Sequence, residues 1–401
     1  MRDQGPEELR RRTAVEGSLQ RFLASQGYQI IDTPLLEPTE LFLRKSGGEL
    51  ASRMYTFTDP GGNRVSLRPE FTSSAIRYYL EMEAEEKLPL RLQYCGPVFR
   101  YGGGKDSMQF HQLGAELIGD GTPQADGEVL ALAWEGISAL GVPSSQCVVG
   151  HIGVLHRILD GLGLSHRAQG FLVASLPRLR QGPQEIQRLR EQAEALGLIQ
   201  PSDSVIHAHL PVEEMEEGKA LELLQDLFQD SLAGPMGSRS AEEILMRFVH
   251  KLQRADDPRR IDMGMSLLSR LASIRGEESQ VLPQMRSLVQ EHGLEPAVIQ
   301  PLEQVLASFR QRCPSVNLTV DPGLVRGIAY YTGMVFEITT SAVEGGDILC
   351  GGGRYDGLIR ALGGSNDVPA LGFAFTMETL LESLPENPEE SHLTSSHSQR
   401  R

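Results

Sequence analysis

The sequence predicts an α+β fold, in which an antiparallel sheet is flanked by helices and interrupted by a helical insertion. Segments rich in β-branched and aromatic residues occur before about residue 120 and return after about residue 313. The stretch from about His166 to Arg312 is mostly helical in character and rich in Leu, Glu, Gln and Arg. The strand segments occur in pairs joined by turns, which favours antiparallel pairing over a doubly wound sheet.

The first elements follow from hydrophobic spacing and from the positions of glycine and proline. Residues from Pro6 to about Gln26 form a predicted amphipathic helix, which Gly27 ends. Its apolar positions recur at helical spacing, at Leu9, Val15, Leu19 and Phe22. Residues 28–31 form a short predicted strand, and the prolines at positions 34 and 38 mark an extended segment after it.

Two antiparallel pairs and two helices are predicted next. The stretch MYTFTDPGGNRVSLRPE is typical of a hairpin, because two β-rich runs are joined by Asp-Pro-Gly-Gly. A helix is predicted over Thr72–Met82. The second pair consists of LRLQYCGPVFRY and QFHQLGAELIG, and a helix over Pro123–Leu140 follows it.

Strand segments return after the insertion and define the expected domains. They are VNLTVDPG, YYTGMVFEITT and DILCGGGRYDG, followed by a strand and helix in ALGFAFTMETLLESL. We therefore expect a discontinuous core of residues 1–165 and 313–384, with residues 166–312 as the insertion. Residues 385–401 are polar and poor in apolar side chains, which predicts a disordered tail.

Composition restricts the class of partner. The chain has 38 Lys and Arg against 53 Asp and Glu, a net charge of −15, which disfavours a nucleic-acid backbone as ligand. The four cysteines form no C-x-x-C pair, as in reduced cytoplasmic proteins, and His207 and His209 have no third metal ligand in register. No apolar run approaches the length of a membrane span. We expect a cytoplasmic protein without a metal, a cofactor or a membrane partner.

Six segments, in this order, carry a resemblance to a known family. They are EPTELF, MYTFTDPGGNRVSLRPE, GPVFRY, QFHQLGAE, LVRGIAYYTGMVFE and GGGRYDGL. The set resembles the catalytic domain of the class II aminoacyl-tRNA synthetases, specifically histidyl-tRNA synthetase. The resemblance implies the class II fold, an antiparallel sheet flanked by helices. A dinucleotide interpretation of GGGRYDG is disfavoured, because its glycines miss the G-x-G-x-x-G spacing by one.

Free histidine needs a cation for its carboxylate, acceptors for its ammonium group and polar partners for both ring nitrogens. By resemblance, the positions that match the family's histidine-binding residues are Glu70, Thr72, Arg100, Gln112, Glu116, Arg326, Tyr330, Tyr331 and Tyr355. Gln112 and Glu116 are separated by an even number of residues, so a strand would place both on one face. Structural alternatives remain open: Glu70 could cap the helix, Arg326 could pair with a surface carboxylate, and Tyr355 could pack at a turn.

The nucleotide half of the family pattern is less complete. Arg100 is retained, but Gly102 stands where the family has Glu, and Lys105 is the only cation of GGGKDSM. Thr379 stands in place of the Arg expected over the γ-phosphate, and Ala329 in place of an Asp. Electrostatic contacts to phosphates are large catalytic terms. These departures predict that the chain is not itself an enzyme and that aminoacylation activity is absent.

One further substitution concerns the amino-acid side. Phe71 stands where the family has a small glycine after the Glu, so we expect added bulk at the pocket rim. The sequence also ends about 20 residues after the last motif, where the family has an anticodon-binding domain. We therefore expect no tRNA partner.

A synthetase-like core with a histidine pocket resembles the regulatory subunit of ATP phosphoribosyltransferase, from the first step of histidine biosynthesis. That resemblance implies a short-form catalytic subunit as partner, histidine as effector, feedback inhibition and self-dimers within a hetero-octamer. Two alternatives remain: an active histidyl-tRNA synthetase-like enzyme that activates histidine with ATP, and a stand-alone histidine-binding activator of another protein.

Overall fold

A computed structural model describes residues 3–44, 47–82, 87–102, 108–143, 145–199, 255–327, 330–340 and 346–385. The chain divides into two compact units. The first comprises Met1–Val154, Ile274–Ser287 and Glu295–Arg401, and the second comprises Leu155–Ser273 and Leu288–Leu294. The second unit begins at residue 155 and ends at residue 294, whereas the sequence predicts an insertion over residues 166–312. The tail from residue 386 lies outside the described residues.

A nine-stranded sheet dominates the first unit, with the strand order β1-β5-β6-β12-β11-β10-β7-β9-β8. Its strands are β1 (Gln29–Ile30), β5 (Leu90–Phe99), β6 (Gln109–Ile118), β7 (Gln146–His151), β8 (Gly276–Glu277), β9 (Leu318–Val320), β10 (Met334–Thr339), β11 (Ile348–Arg354) and β12 (Ala370–Thr376). Most neighbours are antiparallel, as predicted. The exceptions are the parallel pairs β1 with β5 and β7 with β9. The α+β fold class is confirmed.

A small sheet precedes the large one in the chain. Its strands β2 (Leu36–Pro38), β3 (Thr56–Thr58) and β4 (Arg64–Leu67) pair antiparallel in the order β2-β4-β3. β3 and β4 form the predicted hairpin, in which Asp59 accepts hydrogen bonds from Asn63 across the turn. This arrangement leads the chain directly into the loop before the helix at Thr72.

The helices of the first unit cover the sheets. They are α1 (Pro6–Ser25), α2 (Thr39–Leu43), α3 (Gly47–Ser52), α4 (Thr72–Met82), α5 (Pro123–Ala139), α12 (Gln300–Arg312), α13 (Leu358–Ala361) and α14 (Met377–Ser383), with a 3₁₀ turn at Pro296–Ile299. α6 (Ile152–Gly161) and α11 (Glu278–Glu291) each cross a boundary between the units. None of the helices in the described part of the chain is both long and apolar enough to span a membrane.

Packing of α12 on α5 explains why the first unit resumes before residue 313. Gly127 of α5 allows the close approach, because a Cβ there would lie 2.3 Å from Ser308 Oγ. The ion pair between Arg312 and Glu135 links the same two helices at 2.6 Å. The segment that ends the predicted insertion therefore belongs to the core of the first unit.

The described part of the second unit is helical, as the composition of the insertion indicates. It contains α7 (His166–Ala174), α8 (Leu176–Leu179), α9 (Pro183–Ala195) and α10 (Pro258–Ser273). Ser165 caps α7 by accepting a hydrogen bond from Ala168 N. α10 buries an apolar face that includes Ile261, Met265, Leu268 and Leu271. His207 and His209 lie outside the described residues.

Candidate functional site

A polar cavity of about 2100 Å³ opens at the sheet of the first unit. Cavities for small molecules usually measure roughly 300–1,000 Å³, so this one has room for more than an amino acid. Its walls come from the loop before α4, strands β5, β6, β11 and β12, the segment around Tyr330, and helices α1 and α14. A second cavity, lined by residues of α11 and α12, measures about 370 Å³.

The structure brings the predicted site residues together. Eight of them line this cavity: Glu70, Thr72, Arg100, Gln112, Arg326, Tyr330, Tyr331 and Tyr355. They come from regions as distant in sequence as the start of α4 and the residue that follows β11. The ninth, Glu116, lies directly beneath the lining and is fully buried.

Glu116 is held by three hydroxyl groups. Thr72 and Tyr94 donate hydrogen bonds to its Oε1 atom at 2.8 and 2.9 Å, and the Tyr355 hydroxyl donates to its Oε2 atom. Gly372, opposite Glu116 on β12, makes space for this carboxylate, since a Cβ there would lie 1.7 Å from Oε2. The carboxylate therefore organises the hydroxyl groups that form the floor of the cavity.

Burial controls the charge of this floor. Desolvation raises the pKa of Glu116 to about 8, although the hydrogen bonds from Tyr355, Thr72 and Tyr94 favour the ionised form and oppose the shift. Burial also raises the pKa values of the Tyr94 and Tyr355 hydroxyl groups well above their ordinary value. Near neutral pH the Glu116 carboxyl group can therefore gain or lose a proton, while the hydroxyl groups remain donors.

Glu70 and Thr72 mark the start of α4 on the cavity wall. Glu70 accepts hydrogen bonds from Ser73 N with both oxygens, at 3.1 and 3.2 Å. The structural alternative of helix capping is therefore realised, and Glu70 also lines the cavity. Desolvation raises its pKa, and the hydrogen bonds from Ser73 and the charge of Arg100 oppose that shift.

Arg326 reaches the cavity over a glycine of β11. A Cβ on Gly351 would lie 1.5 Å from Arg326 Nη1, so a side chain there would occupy the position of the guanidinium group. Arg326 donates to Phe336 O at 3.2 Å and forms an ion pair of 3.2 Å with Glu337. The Glu337 carboxylate therefore pairs with the Arg326 guanidinium, and Arg326 also lines the cavity.

The same strand explains the glycine run of GGGRYDG. Gly351, Gly352 and Gly353 lie inside β11, which pairs antiparallel with β10 and β12. A Cβ on Gly353 would lie 2.9 Å from Tyr331 Cδ1, so this glycine accommodates the tyrosine. These three glycines lie in an antiparallel strand, whereas a dinucleotide fingerprint places its glycines in the turn between a parallel strand and a helix.

Three tyrosines form one wall. The ring of Tyr330 lies 4.9 Å from that of Tyr331 and 5.4 Å from that of Tyr355, in tilted and edge-to-face arrangements. All three are at least 90% buried. All three residues line the cavity, and the Tyr355 hydroxyl also donates to the buried Glu116.

Arg100, directly after β5, and Gln112, in β6, both line the cavity. Arg100 Nε donates to Pro69 O at 2.8 Å, and its guanidinium lies 5.1 Å from the centre of the Phe110 ring. Desolvation lowers the pKa of Arg100, and the charge of Glu70 opposes the shift. Gln112, 9% exposed, lies on the same strand as Glu116.

The open end of the cavity is built from α1, β6 and α14. His111 N donates to both carboxylate oxygens of Glu378, at 2.9 and 3.0 Å, and its Nδ1 lies 3.3 Å from Oε1. Arg12 Nη1 lies 3.3 Å from the same Nδ1 and donates to Gln4. Thr379 lines this end, whereas Lys105 and Ala329 lie outside the described residues.

Two site residues were missed or misplaced by the sequence. Tyr94 was not predicted, yet it lines the cavity and bonds Glu116. Its signal was the hairpin register, which sets it opposite Gly114, where a Cβ would lie 2.6 Å from its hydroxyl. Phe71 was expected at the rim, which is wrong: it is 1% exposed and packs beneath the wall with Tyr94 and Val98.

Comparisons with known proteins identify relatives over almost the whole chain. The sequence model of the histidyl-tRNA synthetase family matches residues 1–231 and 204–380. A histidine–tRNA ligase of Methanocaldococcus jannaschii is 30% identical over 95% of this chain and 73% of its own length. One from Synechococcus is 31% identical over 98% of this chain and 75% of its own.

A solved structure is similar as well. It is a protein of Bacillus halodurans named an ATP phosphoribosyltransferase regulatory subunit/histidyl-tRNA synthetase, with a TM-score of 0.67 and 25% identity. The similarity covers 96% of this chain and 82% of that one. The class II synthetase-like fold is therefore confirmed.

The expectation that the chain is not an enzyme is wrong. Proteins that are similar over 95% of its length are histidine–tRNA ligases, which are enzymes. The substitutions at Gly102 and Thr379 change two positions of the nucleotide pattern, and they do not outweigh similarity along the whole chain.

Proposed function

Because the chain belongs to the histidyl-tRNA synthetase family, we propose that its cavity binds free L-histidine. The observation that carries the proposal is the buried Glu116 carboxylate, which is held by three hydroxyl-bearing residues that line the same cavity as Arg326. An imidazole ring requires polar partners of this kind, and a ligand carboxylate requires a cation.

The remaining contacts follow from the charges of the ligand. The Arg326 guanidinium offers a planar fork for the ligand carboxylate. Glu70 and Thr72 accept from its ammonium group, and Gln112 bridges the two. The Tyr94 and Tyr355 hydroxyls, with Glu116 beneath them, face one ring nitrogen, and Tyr331 with Tyr330 faces the other. These assignments are supported by the placement of the residues around one cavity.

Isothermal titration calorimetry with L-histidine and with L-histidinol tests this proposal. Histidinol keeps the ring and the amine but lacks the carboxylate. We expect saturable histidine binding with a Kd below about 1 mM and much weaker histidinol binding. In Arg326→Ala the two ligands should bind with similar affinity. Absence of histidine binding to the wild-type protein would contradict the proposal.

The first candidate for the use of bound histidine is its activation with ATP. It is supported by the ligases that share 27–31% identity with this chain. Arg100, at the wall next to Glu70, is a cation available to a phosphate. The test is histidine-dependent exchange of pyrophosphate into ATP by the purified chain, with Arg100→Ala as the impaired control. Exchange that does not depend on histidine would contradict this candidate.

The second candidate is regulation of an ATP phosphoribosyltransferase by histidine. It is supported by the name of the similar Bacillus halodurans protein and by Thr379 and Gly102, where the family has charged residues. We expect self-dimers that assemble with a short-form catalytic subunit into a hetero-octamer. A histidine-linked coupling of about 1–3 kcal/mol would change activity roughly 5- to 150-fold.

Reconstitution separates this candidate from the first. The short-form phosphoribosyltransferase of the same genome is assayed alone, with this chain, and with this chain plus histidine. The expected result is activation by the chain and inhibition by histidine. In Arg326→Ala the activation should remain and the inhibition by histidine should be lost. A catalytic subunit whose rate is unaffected by the chain would contradict the regulatory candidate, whatever the exchange assay gives.

A further inference from the structure

Phe71 lies between two cavity residues but points away from the cavity. Its neighbours Glu70 and Thr72 line the wall, whereas the Phe71 ring is 1% exposed and lies outside the lining. The ring is stacked on Tyr94, with centroids 4.3 Å apart and an interplanar angle of 7°. A near-parallel stack restricts the tilt of the tyrosine ring.

The opposite face of Phe71 is covered by a cation. The guanidinium carbon of Arg68 lies 3.8 Å from the Phe71 ring centre. Arg68 is 2% exposed and is fixed by backbone carbonyl groups: its Nε donates to Pro97 O at 2.9 Å, and its Nη1 donates to Thr33 O at 2.5 Å. The three-layer stack of Arg68, Phe71 and Tyr94 is therefore anchored at its outer end.

Two glycines make the stack possible. A Cβ on Gly96 would lie 2.6 Å from Arg68 Nη2 and 3.3 Å from Phe71 Cζ. A Cβ on Gly114 would lie 2.6 Å from the Tyr94 hydroxyl. The paired strands β5 and β6 thus leave room for a stack that ends at the Tyr94 hydroxyl, which donates to Glu116 at 2.9 Å.

We infer that Phe71 is a positioning residue for ligand recognition, which acts by fixing the Tyr94 ring so that its hydroxyl meets Glu116. The inference rests on the proposed binding of histidine. A flat ring at position 71 defines the plane of Tyr94, and an aliphatic side chain of similar size fills the space without defining that plane. Phe71 therefore affects histidine affinity from outside the cavity, through a single hydroxyl group.

A double-mutant cycle tests this coupling. Histidine Kd values are measured by calorimetry for the wild type, Phe71→Leu, Tyr94→Phe and the double variant. Each single change should weaken histidine about tenfold, the loss expected for one hydrogen bond. The double variant should also be weakened only about tenfold, since both changes remove the same contact.

Phe309→Leu is the matched control, because Phe309 is fully buried in α12 and lies outside the cavity lining. It should lower the melting temperature as Phe71→Leu does and leave the histidine Kd unchanged. If Phe71→Leu does not fold, Phe71→Met supplies the same test with an unbranched side chain.

The outcomes separate the two proposals. Wild-type protein that binds no histidine overturns the proposed function and this inference with it. Histidine binding with a roughly hundredfold loss in the double variant overturns the inference alone, because the two residues would then act independently. An unchanged Kd in Phe71→Leu and Phe71→Met overturns it as well.

Discussion

The inner and open ends of the same cavity are built in different ways. At the inner end a buried carboxylate, three hydroxyl groups and a guanidinium converge, and their positions are fixed by tightly fitting glycines. At the open end the charged groups already have partners: the Glu378 carboxylate accepts a hydrogen bond from His111 N, and Arg11 donates to the backbone carbonyl groups of Leu384 and Pro385.

Buried polar groups must be paired, and a fixed array of them is preorganised for one ligand. Charges at an open end are solvated and need no ligand to be stable. The comparison therefore assigns specificity to the inner end, and it predicts that changes there have much larger effects than changes at the open end.

The largest effect is expected in the pH dependence of stability. The pKa of Glu116 is about 8 in the folded protein, against 4.5 for an ordinary Glu. The folded state holds a proton that the unfolded chain releases, so this contribution is complete below about pH 4.5 and is lost as the pH rises to about 8. The free energy of unfolding should fall by up to about 5 kcal/mol over that window, measured by urea denaturation.

Glu116→Gln isolates this contribution, because the amide does not titrate. Asp126, whose pKa desolvation raises to about 6, titrates in both proteins and cancels in their difference. The difference in unfolding free energy between variant and wild type should increase in the variant's favour from pH 5 to pH 8. A difference that is constant with pH would mean that Glu116 is ionised throughout and that the inner end is more solvated than the structure indicates.

The next largest effect is expected at Arg326. Arg326→Ala removes the guanidinium that faces the ligand carboxylate and should weaken histidine by about 2–3 kcal/mol, roughly 30- to 150-fold, measured by calorimetry. Arg360→Ala is the matched control, because Arg360 is 62% exposed and pairs with Asp367 away from the cavity. Equal losses in the two variants would point to a general charge effect instead of a specific contact.

Glu116→Gln should weaken histidine by about 1–3 kcal/mol, a slightly smaller loss. The amide keeps the size of the side chain but offers only one acceptor oxygen to the Thr72, Tyr94 and Tyr355 hydroxyls. Glu303→Gln serves as control, since Glu303 pairs with Arg286 and lies outside the lining of this cavity. An affinity that is unchanged in Glu116→Gln would exclude this carboxylate from ring recognition.

The sequence predicted the elements that have local signals and missed an element that has none. The elements α1, α4 and the β3–β4 hairpin were predicted because periodicity, Pro6, Gly27 and the Asp-Pro-Gly-Gly turn are local signals. β7 (Gln146–His151) was missed, because a short apolar run does not distinguish a central strand from other buried segments.

The candidate site also contains residues that local sequence could predict and residues that it could not. Residues inside motifs were gathered in one cavity, but local sequence did not reveal that Phe71 turns into the core while its neighbours face the cavity. Tyr94 depends on the register of two strands and on a glycine opposite it, which are properties of the assembled sheet. Likewise, the ion pair between Arg354 and Asp126 joins residues 228 positions apart.

The smallest effect is expected at the open end, where Thr379 lines the cavity next to Glu378. Thr379→Arg adds a cation at a solvated position, which should contribute about 0.5–1 kcal/mol to ATP binding, a two- to fivefold gain measured by calorimetry. Thr379→Gln, a neutral side chain of intermediate length, should leave the ATP affinity unchanged. Both variants should bind histidine as the wild type does, because no inner-end contact is altered. A loss of histidine affinity in Thr379→Arg would show that the two ends are coupled, and specificity could then no longer be assigned to the inner end alone.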